Sequence, residues 1–344
     1  MYKASLIIED YLNKNNEVFK KNSPLNRDNT FDRYIKLKEQ LKIFNIDIST
    51  SDINTTEESE IIVYVNIPKS IEFKNDKLYI LFLVENINIW PRNNNAKLIN
   101  KFHLVFTWND LIIDNIKFFK LNLSYSKEYF LKNNKNNKNN KNNKRLLNAI
   151  YSKKYKKNSL YVERYNLIKF LENKSGFDLY GFGWDSFYFH VFPFTFLNRF
   201  KILKNLMKPF MFKSKNYKGI VEDKLKIMSQ YKFNLAFENN VFPGYITEKL
   251  FHPMMSGSIP IYYGAPNVTK HIPENCFIDY RRFQNMDEFW DFIVNISDEE
   301  VISYGQNINN FLESKKFDQF DSQKSAKSIA KIISKKHESV FQIK

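Results

Sequence analysis

The chain has 344 residues, 43% hydrophobic and 17% aromatic, enough to build folded domains with sizeable cores and too apolar for a disordered chain. Its formal charge is +16, with one cysteine (Cys276) and only 8 Gly. These exclude an intrachain disulfide, a glycine-rich dinucleotide motif and a P-loop, and they suit a reducing compartment. No apolar run approaches the roughly 20 residues of a membrane span.

The opening residues, MYKASLIIEDYLNKNNEVFKK, place acids directly behind a short apolar run and show no small-residue cleavage site. They are read as part of the fold rather than as a signal peptide, and a cytoplasmic protein is expected. After the run Ala4–Ile8, Asn29 and Thr30 are candidate caps for a helix over Phe31–Phe44, whose apolar positions follow helical spacing. Strands are predicted at Ile61–Val65, Leu78–Val84, Leu104–Thr107 and Phe118–Leu121. Their alternation with helices and loops predicts an α/β domain with a mostly parallel sheet over residues 1–130. Glu85 ends one of these strands, followed by Asn86 and by Trp90–Pro91–Arg92. A carboxylate there either faces a cleft or is a solvated loop acid, and the residues alone leave both open.

Between Lys132 and Lys157 stand ten Lys/Arg and no acid, leaving +6 for the rest of the chain. The centre of this tract is an Asn-Asn-Lys repeat, Asn133–Lys144. With nothing to bury, residues 131–145 are expected to be a solvated insertion or linker. It is either a low-complexity spacer or a peripheral contact for an anionic membrane. A nucleic-acid site would interleave Lys/Arg with aromatics on ordered elements. The excess charge sits in one loop instead, so no nucleic-acid partner is expected.

A second domain, residues 146–335, begins with a strand and a helix from about Ser159 to Glu172 that carries Arg164. Next comes Asp178–Trp184, with Gly181 and Gly183, and then the aromatic stretch Asp185–Asn216, either a buried lobe or an acceptor or subunit contact. A helix over Val221–Gln230 leads to the stretch Tyr231–Gly264. There a short apolar strand, Phe233–Phe237, gives way to Glu238, Asn239, Asn240 and the pair Pro243–Gly244. Thr247–Glu248–Lys249 then lead into a helix with Leu250, Phe251, Met254 and Met255 on one side, ended by Gly257 before the strand Ile259–Tyr263. Ligands of parallel sheets sit beyond the carboxyl ends of the strands, and a helix N-terminus there favours an anion such as phosphate. Helices Met286–Asn295, Asp298–Glu313 and Ser322–Lys335 close the chain, the last one basic and suited to bracing the first domain.

No two aspartates are separated by a single residue, and the five histidines show no ligand spacing. No metal site is therefore expected, and no cofactor is required. A divalent Mn or Mg ion is left only a stimulating role. The charge of any anion bound at the start of the helix that Thr247–Glu248–Lys249 lead into would then fall to cationic side chains and backbone N–H groups.

Tyr231–Lys232–Phe233, Glu238–Asn239, Tyr245–Ile246–Thr247–Glu248–Lys249, the Pro-containing strand Ile259–Gly264 and the segment Cys276–Phe283 stand in order over roughly fifty residues. Together they resemble the C-terminal signature of the glycosyltransferase family 10 fucosyltransferases. Leu83–Asn86 with Pro91, Phe102–Trp108, and Ser159 with Arg164 resemble further family segments. The resemblance implies a GT-B architecture, two Rossmann-like α/β domains facing a cleft, the first for the acceptor and the second for the nucleotide sugar. It implies inverting transfer of fucose from GDP-fucose to a hydroxyl of an oligosaccharide or lipopolysaccharide-type glycan. Glu85 would be the base and Arg164 and Lys249 the diphosphate clamp. Glu238, Asn239, Tyr245, Thr247 and Glu248 would complete the donor site. The alternatives are another GDP-sugar on the same fold, or a basic nucleic-acid- or membrane-binding protein.

Overall fold

A computed structural model describes residues 1–127, 144–154, 156, 159–185, 194–207 and 214–341. The heart of the Asn-Asn-Lys repeat, 133–143, lies outside the described residues, as do Phe187, Tyr188, Phe189 and Phe192 of the aromatic stretch. In chain order the main elements are β1 (Tyr2–Ile7), α1 (Asp32–Ile43), β2 (Ile46–Thr50), β3 (Ile61–Val65), β4 (Leu78–Leu83), β5 (Leu104–Thr107), β6 (Phe118–Lys120) and β7 (Arg145–Ile150). Then follow α2 (Leu160–Leu171), β8 (Phe177–Tyr180), α3 (Lys224–Met228), β9 (Tyr231–Phe237), α4 (Glu248–Met255), β10 (Ile259–Tyr263), β11 (Ile278–Asp279), α5 (Met286–Asn295), α6 (Asp298–Glu313) and α7 (Ser322–Phe341).

These form two compact units. The first comprises Met1–Phe130, Phe242–Ile246 and Leu312–Lys344, and the second Leu131–Val241 and Thr247–Phe311. Beside the expected blocks 1–130 and 146–335, both Phe242–Ile246 and the last helix group with the first unit; for the helix the cause is apolar burial. Ala326, Ile329, Ala330 and Ile333 on α7 join Tyr34, Leu37 and Leu41 on α1 in one buried core.

The sheet of the first unit is all parallel, in the order β2-β1-β3-β4-β5-β6. Successive residues of a strand point to opposite faces. On β3 and β4, Ile61, Val63, Leu78, Ile80 and Phe82 therefore meet the α1/α7 layer, while Ile62, Tyr64, Tyr79, Leu81 and Leu83 fill a second core on the other face. Burial on both faces explains why β4 reads as an unbroken apolar run. Helix α1 starts later than its candidate caps. Asp28 and Asn29 adopt positive φ, which places both outside the helix, and Phe31 takes the cap position with no side-chain cap. Strand β2 escaped the sequence reading because only Asn45, at φ +60°, lies between its end of the chain and the expected helix terminus.

The second unit repeats the pattern with a parallel sheet ordered β11-β10-β9-β7-β8. Helix α4 buries Leu250, Phe251, Met254 and Met255 completely, and Gly257, at φ +68°, turns the chain out of it. In both sheets the chain builds the neighbour on one side first and then crosses to the other. That reversal falls between β1 and β3 in the first unit and between β7 and β9 in the second, and a crevice at the carboxyl ends of the strands is expected at such points.

Candidate active site

In the second unit, the residues after β9 and those starting α4 gather around one carboxylate. Glu238 is fully buried. Its Oε1 accepts the Thr247 N–H (2.7 Å) and its Oε2 the Thr247 hydroxyl (2.7 Å). Thr247 caps α4, its Oγ1 accepting the Lys249 N–H at 3.4 Å. Lys249 Nζ donates to Thr247 Oγ1 (3.0 Å) and Glu248 Oε1 (2.8 Å), and lies 3.6 Å from Glu238 Oε2. Burial pushes the Glu238 carboxyl above the usual range, against the pull of Lys249. For Glu248 burial is again the largest influence, but the charges of Lys249 and His252 and the hydrogen bond from Lys249 together outweigh it and hold the carboxyl below its usual range. Gly264 is required here: a Cβ would collide with the Glu238 side chain and the Tyr262 hydroxyl.

Arg164 is 5% exposed. One Nη donates to the Phe237 carbonyl (2.6 Å) and to Asn239 Oδ1 (3.0 Å). Its guanidinium lies 4.5 Å from the Tyr151 ring centroid and 4.8 Å from that of Tyr161, a favourable placement for a cation. The buried Nε has no hydrogen-bond partner. Tyr151 is fixed in turn, its hydroxyl donating to the Leu235 carbonyl and accepting the Phe237 N–H, both at 2.7 Å; burial pushes its pKa up to about 12. Arg164, Glu238, Asn239, Thr247, Glu248 and Lys249 are thus brought to one strand edge. This edge offers a cationic fork with an unused donor, a lysine beside two carboxylates and a helix N-terminus, the equipment for an anion.

Tyr245 groups with the first unit, where its ring meets Trp108 edge-on at 4.8 Å. Neighbouring Gly244, at φ +79°, admits the Trp108 carbonyl where a Cβ would collide.

Glu85 also lies in the first unit, just past β4. Asn66 Oδ1 accepts the N–H groups of Val84 (3.1 Å) and Glu85 (2.9 Å) and the Asn93 side-chain amide (2.9 Å). Asn93 donates as well to the Glu85 carbonyl (2.8 Å). The segment is therefore held by side chains where no strand continues. Glu85 lines a cavity of about 480 Å³ with Glu9, Tyr11, Tyr34 and Asn66. Sequence reasoning missed Tyr151, Glu9 and Asn66. For Glu9 the signal was present, since it follows the apolar run of β1 as Glu85 follows that of β4. Among the described residues, no three His, Cys, Asp or Glu side chains group to hold a metal.

Comparison with known proteins adds a family match over part of the chain. Residues 199–309 match the model of the glycosyltransferase family 10 (fucosyltransferase) C-terminal domain. An alpha-(1,4)-fucosyltransferase of Arabidopsis thaliana is 45% identical over 74 residues, 22% of this chain and 18% of that protein. The alpha-(1,3)-fucosyltransferase FucT of Helicobacter pylori is 45% identical over 73 residues, 21% of this chain and 15% of that one. The matched segment is thus under a fifth of either relative's length. The likeness of fold is much broader. A crystal structure of alpha1,3-fucosyltransferase with GDP superposes with a TM-score of 0.61 at 17% identity, covering 98% of this chain and 90% of that one. Residues 199–309 are thus similar to the C-terminal domain of the glycosyltransferase family 10 fucosyltransferases, and the two parallel-sheet units share the GT-B fold of the solved fucosyltransferase structure.

Proposed function

We propose that the protein transfers fucose from GDP-fucose to a hydroxyl of an oligosaccharide or lipopolysaccharide-type glycan, with inversion. The observation that carries this reading is Arg164, a buried guanidinium with an unused Nε, on the same strand edge as Lys249 and the capped start of α4. The fucosyltransferase names of both relatives, and GDP in the structural neighbour, support the choice of donor.

In this reading the bond between the fucose anomeric carbon and the diphosphate breaks as the acceptor oxygen attacks from the opposite face. Arg164 and Lys249 meet the charge that grows on the departing diphosphate. Lys249 exchanges its contact with Glu248 for a phosphate oxygen. Glu238, Asn239, Thr247 and Glu248 hold the clamp and the sugar end of the donor, with Tyr245 completing the set. Glu85 takes the acceptor hydroxyl's proton as general base. Donor binding needs no metal, and Mn or Mg would only speed product release. No helix among the described residues is long and apolar enough to cross a membrane. We place the enzyme in the cytoplasm, with the Lys132–Lys157 tract able to rest on an anionic bilayer.

A second reading keeps the mechanism and changes the sugar, because diphosphate and ribose contacts are common to all GDP-sugars. Offering the purified chain GDP-fucose, GDP-mannose and UDP-sugars, with and without EDTA, tests both. Transfer from GDP-fucose that survives EDTA is expected. Preference for GDP-mannose replaces only the sugar, preference for a UDP-sugar overturns the donor reading, and complete loss in EDTA overturns the metal-free clamp.

A further inference from the structure

Within the donor reading above, the two cations of the second unit are held in different ways. Lys249 lies beside two carboxylates, 2.8 Å from Glu248 and 3.6 Å from Glu238. Arg164 is more deeply buried and has no such neighbour. Among the described residues it forms no ion pair, and its hydrogen bonds go to the Phe237 carbonyl and the Asn239 side-chain oxygen, both neutral. A buried charge is normally paired with an opposite one. Arg164 lies over the rings of Tyr151 and Tyr161 instead.

Both rings are firmly placed. Tyr151 follows β7, and besides the two bonds of its hydroxyl its N–H donates to the Tyr180 carbonyl (3.0 Å) and its carbonyl accepts the Trp184 indole N–H (2.6 Å). Gly181, at φ +123°, leaves room for that carbonyl, with which a Cβ would collide. The Phe237 N–H is held by the Tyr151 hydroxyl and the Phe237 carbonyl accepts from Arg164. One tyrosine therefore fixes both the guanidinium and a group that orients it. Tyr161 comes from the first turn of α2, three residues before Arg164, the spacing that puts two side chains on one face of a helix.

We propose that Tyr151 and Tyr161 are positioning residues that keep Arg164 buried without cancelling its charge. A ring attracts a cation through its quadrupole, more strongly when the pair is desolvated, yet it carries no net charge. A carboxylate in the same place would hold the arginine equally and neutralise it. Lys249 must exchange carboxylates for phosphate, whereas Arg164 presents its full charge, already oriented, before the diphosphate arrives. Such preorganisation costs no rearrangement as charge moves onto the leaving group.

The test reads GDP affinity of the full chain by calorimetry, with urea melts to check folding. Tyr161→Phe keeps the ring and should bind GDP within about threefold of wild type, whereas Tyr161→Gln removes it and should lose about tenfold. Tyr161→Glu should lose about a further tenfold, because its carboxylate reaches Arg164 at i+3 and cancels the charge. An acid in the first turn suits the helix dipole, so the fold should hold. A role in packing alone predicts equal affinity for Tyr161→Gln and Tyr161→Glu. Repulsion of GDP by the new carboxylate alone predicts equal affinity for Tyr161→Phe and Tyr161→Gln. Either result overturns the proposal. Should a polar variant not fold, fluorinated phenylalanines at position 161 take its place. They keep the shape of the ring and weaken its negative face, so affinity should fall with each fluorine; an unchanged affinity overturns the proposal. A wild-type chain that binds no GDP overturns the donor reading instead.

Discussion

The two units share one sheet topology and equip the ends of their strands in opposite ways. Each has a parallel sheet whose strand order reverses beside its first strand, between β1 and β3 or between β7 and β9. In the second unit the strand ends carry Arg164 and Lys249 over a buried Glu238. In the first they carry Glu9 and Glu85, with Asn66 holding the backbone. A shared topology therefore fixes where a ligand is met, and the residues just past the strands decide which charge it brings. In the proposed reaction the cationic strand edge would meet the leaving anion, and the acidic one a hydroxyl that must give up a proton.

The contrast can be broken most severely at Glu85. Glu85→Gln should lower kcat by roughly 10²–10⁴-fold and leave GDP affinity untouched, as measured by steady-state kinetics beside calorimetry. Near-normal turnover would remove the base from the acidic crevice. On the cationic side, Arg164→Ala and Lys249→Ala should each weaken GDP binding by about 1.5–3 kcal/mol, the scale of a hydrogen bond to a charged group. Unchanged affinity in both would leave α4 without its assigned anion. Gly264→Ala should cost about 1–3 kcal/mol of stability in urea melts through overpacking against Glu238; full stability would mean that Glu238 is not held there.

A subtler probe is pH. Because the folded state lowers the Glu248 pKa, its contribution is present above the unfolded value, near 4.5, and is lost as pH falls through the folded one. Urea melts from pH 6 to 3 should show a shallower acid decline in Glu248→Gln than in wild type; parallel declines would contradict the lowered pKa. The smallest effect is expected from deleting Asn133–Asn143, because loop length enters stability only logarithmically. Stability and transfer to soluble acceptors should hold, and loss of binding to phosphatidylglycerol vesicles would mark the tract as a membrane contact. Failure to fold would rule out a dispensable insertion.

The run from Tyr231 to Gly264 was legible because each change of character has one physical meaning: apolar strand, polar loop, capped helix, glycine stop, strand. Glu238, Thr247 and Lys249 could be named for that reason. Tyr151 was not legible, since a tyrosine following a strand looks like any aromatic until its hydroxyl bridges the backbone of β9. Glu9 was passed over because its neighbourhood was read only as an N-terminus. The composition of the first unit was the hardest part. Local patterns show that α7 has an apolar face, and even hint that it returns to the first domain. They do not show that Phe242–Ile246 leaves the second unit at Val241 and rejoins it at Thr247.

The return of α7 onto α1 also bears on how the molecule comes into being. Ala326, Ile329, Ala330 and Ile333 complete a core whose other members lie in the first 121 residues. A growing chain therefore makes the sheet of the first unit early but cannot cover its α1 face until the last helix leaves the ribosome. Apart from the short excursion at Phe242–Ile246, the second unit is continuous from Leu131 to Phe311 and can condense before that. Birth order and folding order are thus inverted: the half made first is finished last, and until then its open apolar face is the one a chaperone would meet.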